Sequence, residues 1–172
     1  MRFLRVSYSV FADDMDRYKP VQITQEKLFD AWNGIRLPER ATEYSAGYDI
    51  RIPIDITIPA GERRIIPTGI RAVFSPEELD TWHLQMYVRS SVGIRDGIVL
   101  MNGTGIIDPD YQFSDNQGDM MLALINTSSR SVRYKAGDRI CQAVFAIHGL
   151  VYGDKADGVR RGGIGSTDGG EK

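Results

Sequence analysis

The sequence predicts an all-β chain, a distorted barrel or sandwich of short antiparallel strands. Two observations carry that prediction. From Arg36 to Val88 brief apolar runs alternate with turns rich in glycine and proline, and no repeat or low-complexity stretch interrupts them. Beyond them, Asn102-Gly103 lies between apolar segments, a strong short-range signal for a hairpin.

Taken in order, Met1 to Val10 alternates Leu4, Val6, Tyr8 and Val10 against Arg5, Ser7 and Ser9, which reads as a first strand. Within Phe11 to Gly34, Leu28, Phe29, Trp32 and Ile35 share one face of a short amphipathic helix that starts at Thr24. Strand-like runs follow at Asp55–Ile58, Arg64–Ile66, Thr68–Val73 and Trp82–Val88, with Pro59-Ala60-Gly61-Glu62 as a turn. His83 reads as a strand side chain. Arg89 to Asp96 breaks the alternation as a single helical turn, and Gly97 to Asp108 resumes as the hairpin. Met120–Ile125 and Arg139–Ile147 are the last strands, separated by turns at Asn126–Ser129 and Lys135–Asp138. From residue 150 to residue 172 the composition turns to Gly, Asp, Lys and Arg, a tail expected to be mobile until something binds it.

A chain of 172 residues suits one domain. With 21 basic and 23 acidic residues and no basic run, a nucleic-acid partner is not expected. Cys141 is the sole cysteine, so no intrachain disulfide is expected, and Cys and His are too sparse for a zinc cluster. A reducing compartment is the simplest reading. No apolar run approaches the ~18 residues of a membrane span, so no membrane partner is expected either. The first ten residues lack the apolar core of a signal peptide.

The stretch with most chemistry is Gly105-Ile106-Ile107-Asp108-Pro109-Asp110-Tyr111-Gln112, where a strand runs into a tight polar turn. Alone, Asp-Pro-Asp is an ordinary solvated turn. Four further segments stand in a fixed order around it: Ser45-Ala46-Gly47-Tyr48-Asp49, Arg89-Ser90-Ser91, Gly137-Asp138-Arg139-Ile140-Cys141-Gln142, and Arg161-Gly162-Gly163-Ile164-Gly165-Ser166-Thr167. Together the five segments resemble the five motifs of the trimeric dUTPase family, from about Arg36 to Thr167.

That resemblance implies a jelly-roll or β-barrel of the dUTPase type and hydrolysis of dUTP to dUMP and pyrophosphate. It assigns Asp108 as general base for the attacking water and Tyr111 as a wall against the deoxyribose. Asn102, Gly105 and the backbone near Met121 would meet the uracil edge. Arg89, Ser90, Ser91, Gln142, Arg161, Ser166 and Thr167 would contact substrate, mostly its phosphates, with Asp49 supporting Arg89 or touching the site itself. Arg139 reads as a structural ion pair. No carboxylate cluster stands at metal-ligand spacing, so Mg2+ would be held through phosphates and water. The family further implies a homotrimer with sites shared between subunits, in the cytoplasm, or in a host's cytoplasm if the gene is phage-borne.

Three departures from the family pattern stand out. Residues 11–35 form an N-terminal insertion, which either covers a sheet edge or docks a protein partner. The tail has Ile164 where the family usually has a phenylalanine lid, and its shortness makes Arg160 a weaker candidate than Arg161. Extra residues between Gln112 and Gly118 include Phe113, a second lid candidate or an incidental loop residue. A dCTP deaminase-like enzyme is the nearest rival, but Ala123 stands where its proton-shuttling glutamate would be. A regulatory protein-binding module on the same fold is the other.

Overall fold

A computed structural model describes residues 1–162; the expectations for Ile164, Ser166 and Thr167 fall outside the described residues. The strands are β1 (Arg2–Arg5), β2 (Glu39–Arg40), β3 (Tyr48–Arg51), β4 (Ile56–Ile58), β5 (Arg63–Pro67), β6 (Ile70–Val73), β7 (Trp82–Val88), β8 (Ile98–Leu100), β9 (Gly105–Ile107), β10 (Met121–Asn126), β11 (Val132–Tyr134) and β12 (Arg139–Ile147). Among the described residues they pair antiparallel in four groups: β2-β3-β12-β7-β9, β5-β10-β8, β1-β6 and β4-β11. Alternate residues point inward, so Leu84 and Met86 of β7, Leu122 and Leu124 of β10, and Cys141 and Ala143 of β12 meet in one core. Burial pushes the Cys141 thiol up to about 12, so it behaves as a small apolar side chain.

The N-terminus differs from the sequence expectation. Strand β1 stops at Arg5, and a helix, α1 (Tyr8–Tyr18), begins where the alternation of Tyr8 and Val10 reads as extended. Ser7 decides the switch, because its extended backbone and its Oγ, which accepts from the Val10 amide, cap the helix. Phe11, Asp14 and Met15 then fall on the buried face at helical spacing. The helix ends at Lys19, a left-handed residue with φ of 43°. There are thus two N-terminal helices, not one. The second, α2 (Gln25–Asn33), is capped by Thr24 as expected.

Both helices pack on the chain itself, although Phe29 on the apolar face of α2 stays exposed. Val6, Phe11, Met15, Leu28 and Ile54 form a second buried cluster, and Val21 and Ile35 pack against both it and the main core. Trp32 donates its indole N–H to the Val6 carbonyl at 3.0 Å, while the Arg5 guanidinium lies 4.7 Å from the centre of its ring.

The hairpin expected over residues 97–108 is also different. Its turn forms, with Gly103 at φ of 71° and its amide bonded to the Leu100 carbonyl. The flanking strands do not pair with each other: β8 joins β10, and β9 joins β7. The Thr104 amide also bonds the Asn102 carbonyl at 2.8 Å, a tight second closure that turns β9 away from β8 and into the other sheet. This divergence opens the space in which the candidate site lies.

Candidate active site

Strand β9 delivers Asp108. Proline at 109 keeps Asp108 out of helical backbone, with φ of −70° and ψ of 149°, and starts the 3-10 turn Pro109–Phe113. Asp108 therefore sits at the mouth of a cleft of about 200 Å³, its side chain 44% exposed. The cleft is lined by Asn102, Gly105, Asp108, Tyr111 and Met121, together with Met86, Ile106, Ile107, Ala123 and Arg160. Five expected residues are thus brought together, four from residues 102–111 and Met121 from β10. The apolar walls come from strands β7, β9 and β10, whose alternation turns Met86 and Met121 inward.

Tyr111 is buried, and its hydroxyl has two partners: it donates to the Asp119 carbonyl at 2.8 Å and accepts from Asn116 Nδ2 at 2.9 Å. Burial pushes the phenol up to about 12, so it stays protonated and works as an apolar wall with a tethered end. Phe113, two residues on, is 68% exposed and does not line the cleft.

A second group forms where β3, β7 and β12 run side by side. The Asp49 carboxylate, 9% exposed, lies between two guanidinium groups, Arg89 Nε at 3.0 Å from Oδ1 and Arg139 Nη1 at 2.9 Å from Oδ2. Such a nearly buried acid requires this pairing, and in return it aligns both arginines. Gln142 on β12 is the register partner of Asp49, with Gly47 packed against its side chain. Ser90 and Ser91 are exposed at the start of the π-helical turn Ser91–Arg95, which follows Arg89. None of Arg89, Ser90, Ser91 or Gln142 lines the Asp108 cleft of the same chain.

The described part of the tail reaches the first group. Arg160 pairs with Asp108 through Nη2 and with Asp110 through Nε at 2.8 Å, and the Asp115 amide donates to the Arg161 carbonyl at 3.0 Å. Arg161 itself is exposed. Sequence reasoning ranked Arg161 first; the available signal was only that two adjacent arginines precede the glycines. No set of three or more His, Cys, Asp or Glu side chains gathers among the described residues. No helix among them is long and apolar enough to cross a membrane.

Comparison with known proteins agrees with this picture. A family model described as dUTPase matches residues 33–167. The deoxyuridine 5'-triphosphate nucleotidohydrolase of Lactococcus lactis is 39% identical over 137 residues, spanning 78% of this chain and 89% of that protein. The enzyme of the same name from Anaeromyxobacter is 31% identical over 153 residues, or 86% of this chain and 98% of that one. In three dimensions the chain resembles a crystal structure of dUTPase from Streptococcus mutans, with a TM-score of 0.65, 29% identity, and coverage of 89% of this chain and 100% of that one. The dUTPase from phage phi11 of S. aureus shares the fold at a TM-score of 0.58 and 18% identity, over 72% of this chain and 90% of that one. With five ordered motifs, a β-rich fold of matching topology and relatives aligned over most of their length, this chain belongs to the dUTPase family.

Proposed function

We infer that this chain hydrolyses dUTP to dUMP and pyrophosphate, with Asp108 activating the water that attacks the α-phosphorus. The observation that carries the inference is the cleft itself. A partly exposed carboxylate lines a largely apolar slot that also offers the Asn102 side chain. Such a slot takes a flat base with a few polar edges, and the carboxylate is left beside whatever is attached to it.

In this reading the backbone near Gly105 and Met121 pairs with the uracil edge, and close walls would leave no room for a methyl at its C5. One methyl is worth only ~1 to 3 kcal/mol, so discrimination depends on close fit. Tyr111 packs on the deoxyribose where a 2′-hydroxyl would need space. The Arg160 contact takes Oδ2 of Asp108, so Oδ1 is the oxygen that would hold the water. Ser90 and Gln142 would contact the inner phosphates, and Arg161, Ser166 and Thr167 the outermost one.

The phosphate-binding group around Arg89 does not line the Asp108 cleft of its own chain, which supports a homotrimer whose sites combine groups from different subunits. Magnesium fits the donor set only as an ion carried by the substrate: hard oxygen ligands are needed, and the protein gathers no carboxylate cage among its described residues. When bound it would neutralise the departing pyrophosphate. Deamination of dCTP is disfavoured by Ala123, which lines the cleft without offering an acid.

The test is pyrophosphate release from dUTP, dTTP, dCTP and UTP by the native chain and by Asp108→Asn. Release confined to dUTP, falling about 100-fold or more in the variant, is expected. Ammonia from dCTP, or an Asp108→Asn enzyme as fast as the native one, would overturn the assignment.

A further inference from the structure

Two features set this chain apart from the family pattern, the N-terminal insertion of residues 11–35 and the extra residues before Gly118, and in the structure the second touches both Asp14 of the insertion and Ser7 just ahead of it. The Ser7 amide donates to Gln117 Oε1 at 2.9 Å, and Gln117 Nε2 returns a bond to Ser7 Oγ at 3.3 Å. About two helical turns further on, Asp14 of α1 accepts from Asn116 Nδ2 at 3.4 Å. Residues about a hundred positions apart in sequence are therefore laced together by side chains that a plain surface loop would leave in water.

The lacing ends on Tyr111. The Asn116 amide that reaches Asp14 also donates to the Tyr111 hydroxyl, and Asn116 Oδ1 accepts from Ser114 Oγ at 2.8 Å and from the Gly118 amide at 3.3 Å. Asn116 is thus held on both ends of its side chain, by the loop and by α1. The loop is itself an unusual conformation: Gln117, not a glycine, has φ of 57°, and Gly118 follows at 77°. A left-handed glutamine costs energy, and the paired bonds to Ser7 offset it only while the N-terminal segment is in place. Tyr111 would otherwise have its ring fixed by packing and its hydroxyl held by the Asp119 carbonyl alone.

We propose that Ser7–Tyr18 and residues 114–119 form one positioning unit for Tyr111, with Asp14, Asn116 and Gln117 as positioning residues that set discrimination between deoxyribose and ribose. The proposal rests on the reading of Tyr111 as the sugar wall. A wall excludes one hydroxyl only if it is held to a few tenths of an ångström, and misplacement of about 1 Å far from the chemistry is enough to lose it. None of these positioning side chains lines the cleft, so their loss should act on selectivity and leave the attack on phosphorus intact.

The readout is the ratio of kcat/KM for dUTP to that for UTP, which does not depend on how much of the preparation is folded. Asn116→Ala and Asp14→Ala should each lower it about tenfold while kcat for dUTP stays within about threefold of native. Asp14→Asn keeps an acceptor for the Asn116 amide and should restore the ratio, which a purely structural role would not require. Should Asn116→Ala not fold, Gln117→Gly removes the tie to Ser7 while glycine accepts the left-handed backbone, and it should lower the ratio as well. A ratio that falls in Tyr111→Ala but is native in Asn116→Ala or Gln117→Gly overturns the positioning unit. A native ratio in Tyr111→Ala itself overturns the sugar wall, and the positioning proposal with it.

Discussion

Replacing Asp96 with asparagine removes one charge from a buried junction, and the structure sets both the size and the pH dependence of the loss. Asp96 follows the π-helical turn that carries Ser91, and its side chain is 7% exposed. Arg95 grips it at 3.0 Å through both Nε and Nη2, Tyr134 of β11 donates its hydroxyl at 2.9 Å, and Arg130 Nη2 approaches to 3.2 Å. The Arg95 hydrogen bonds, helped by Tyr134 and Arg130 and opposed by burial, hold its carboxyl down at about 2. A carboxylate depressed from 3.8 to about 2 contributes stability that is present above pH ~4 and is lost as pH falls through ~2. The full shift corresponds to about 2.4 kcal/mol, and because both arginines are mostly exposed, screening leaves on the order of 1 to 2 kcal/mol. Urea unfolding of native chain and Asp96→Asn at equal protein concentration should show that deficit near pH 7 and roughly half of it near pH 3. A deficit of the same size at both pH values would mean that the variant lost packing and not charge, and the electrostatic account would fail.

Two further outcomes follow from other parts of the chain. A methyl at Gly47 would sit 2.4 Å from Gln142 Oε1 and 3.2 Å from its Cβ, so Gly47→Ala should displace the amide and press β12 back by a few tenths of an ångström; KM for dUTP should rise about fivefold, measured by steady-state kinetics, with a lowered melting temperature. The fully buried carboxyl of Asp119 is raised well above 3.8 by burial, then by Asp14, while Gly69 and Thr68 act in the opposite direction. Its stabilising contribution is therefore complete below pH ~4 and lost as pH rises through the raised value, and Asp119→Asn should flatten the fall in melting temperature as pH rises above ~4.

How much of this was legible in the sequence depends on the distance over which each feature is determined. Strands β7 and β12 were read over their full spans, Trp82–Val88 and Arg139–Ile147, because alternation and the flanking turns are local. The N-terminus was misread because Tyr8 and Val10 fit a two-residue period and Tyr8, Phe11 and Met15 fit a helical one, and the Ser7 cap that decides between them is a single hydroxyl. The pairing of β8 and β9 with different strands depends on the partners Leu124 and Leu84, which no local pattern around Asn102-Gly103 can specify. For the same reason the cleft residues could be collected by motif, Ala123 included, while Met86 could not.

The two tail arginines show how physical detail reorders a reading made from motifs. Adjacent side chains on a non-helical segment diverge, so only one of Arg160 and Arg161 can face the acids of the turn after β9. The bond from the Asp115 amide to the Arg161 carbonyl fixes the segment's rotation, and with that rotation Arg160 reaches Asp108 and Asp110. Arg161 is then directed the other way and is exposed. Among the described residues Arg161 makes no ion pair, so a polyphosphate could recruit it at no such cost, whereas recruiting Arg160 would strip a cation from Asp108, the carboxylate proposed as the base. The two neighbours are therefore suited to different work: Arg161, exposed, to meeting an incoming ligand, and Arg160 to holding the Asp108 carboxylate in place.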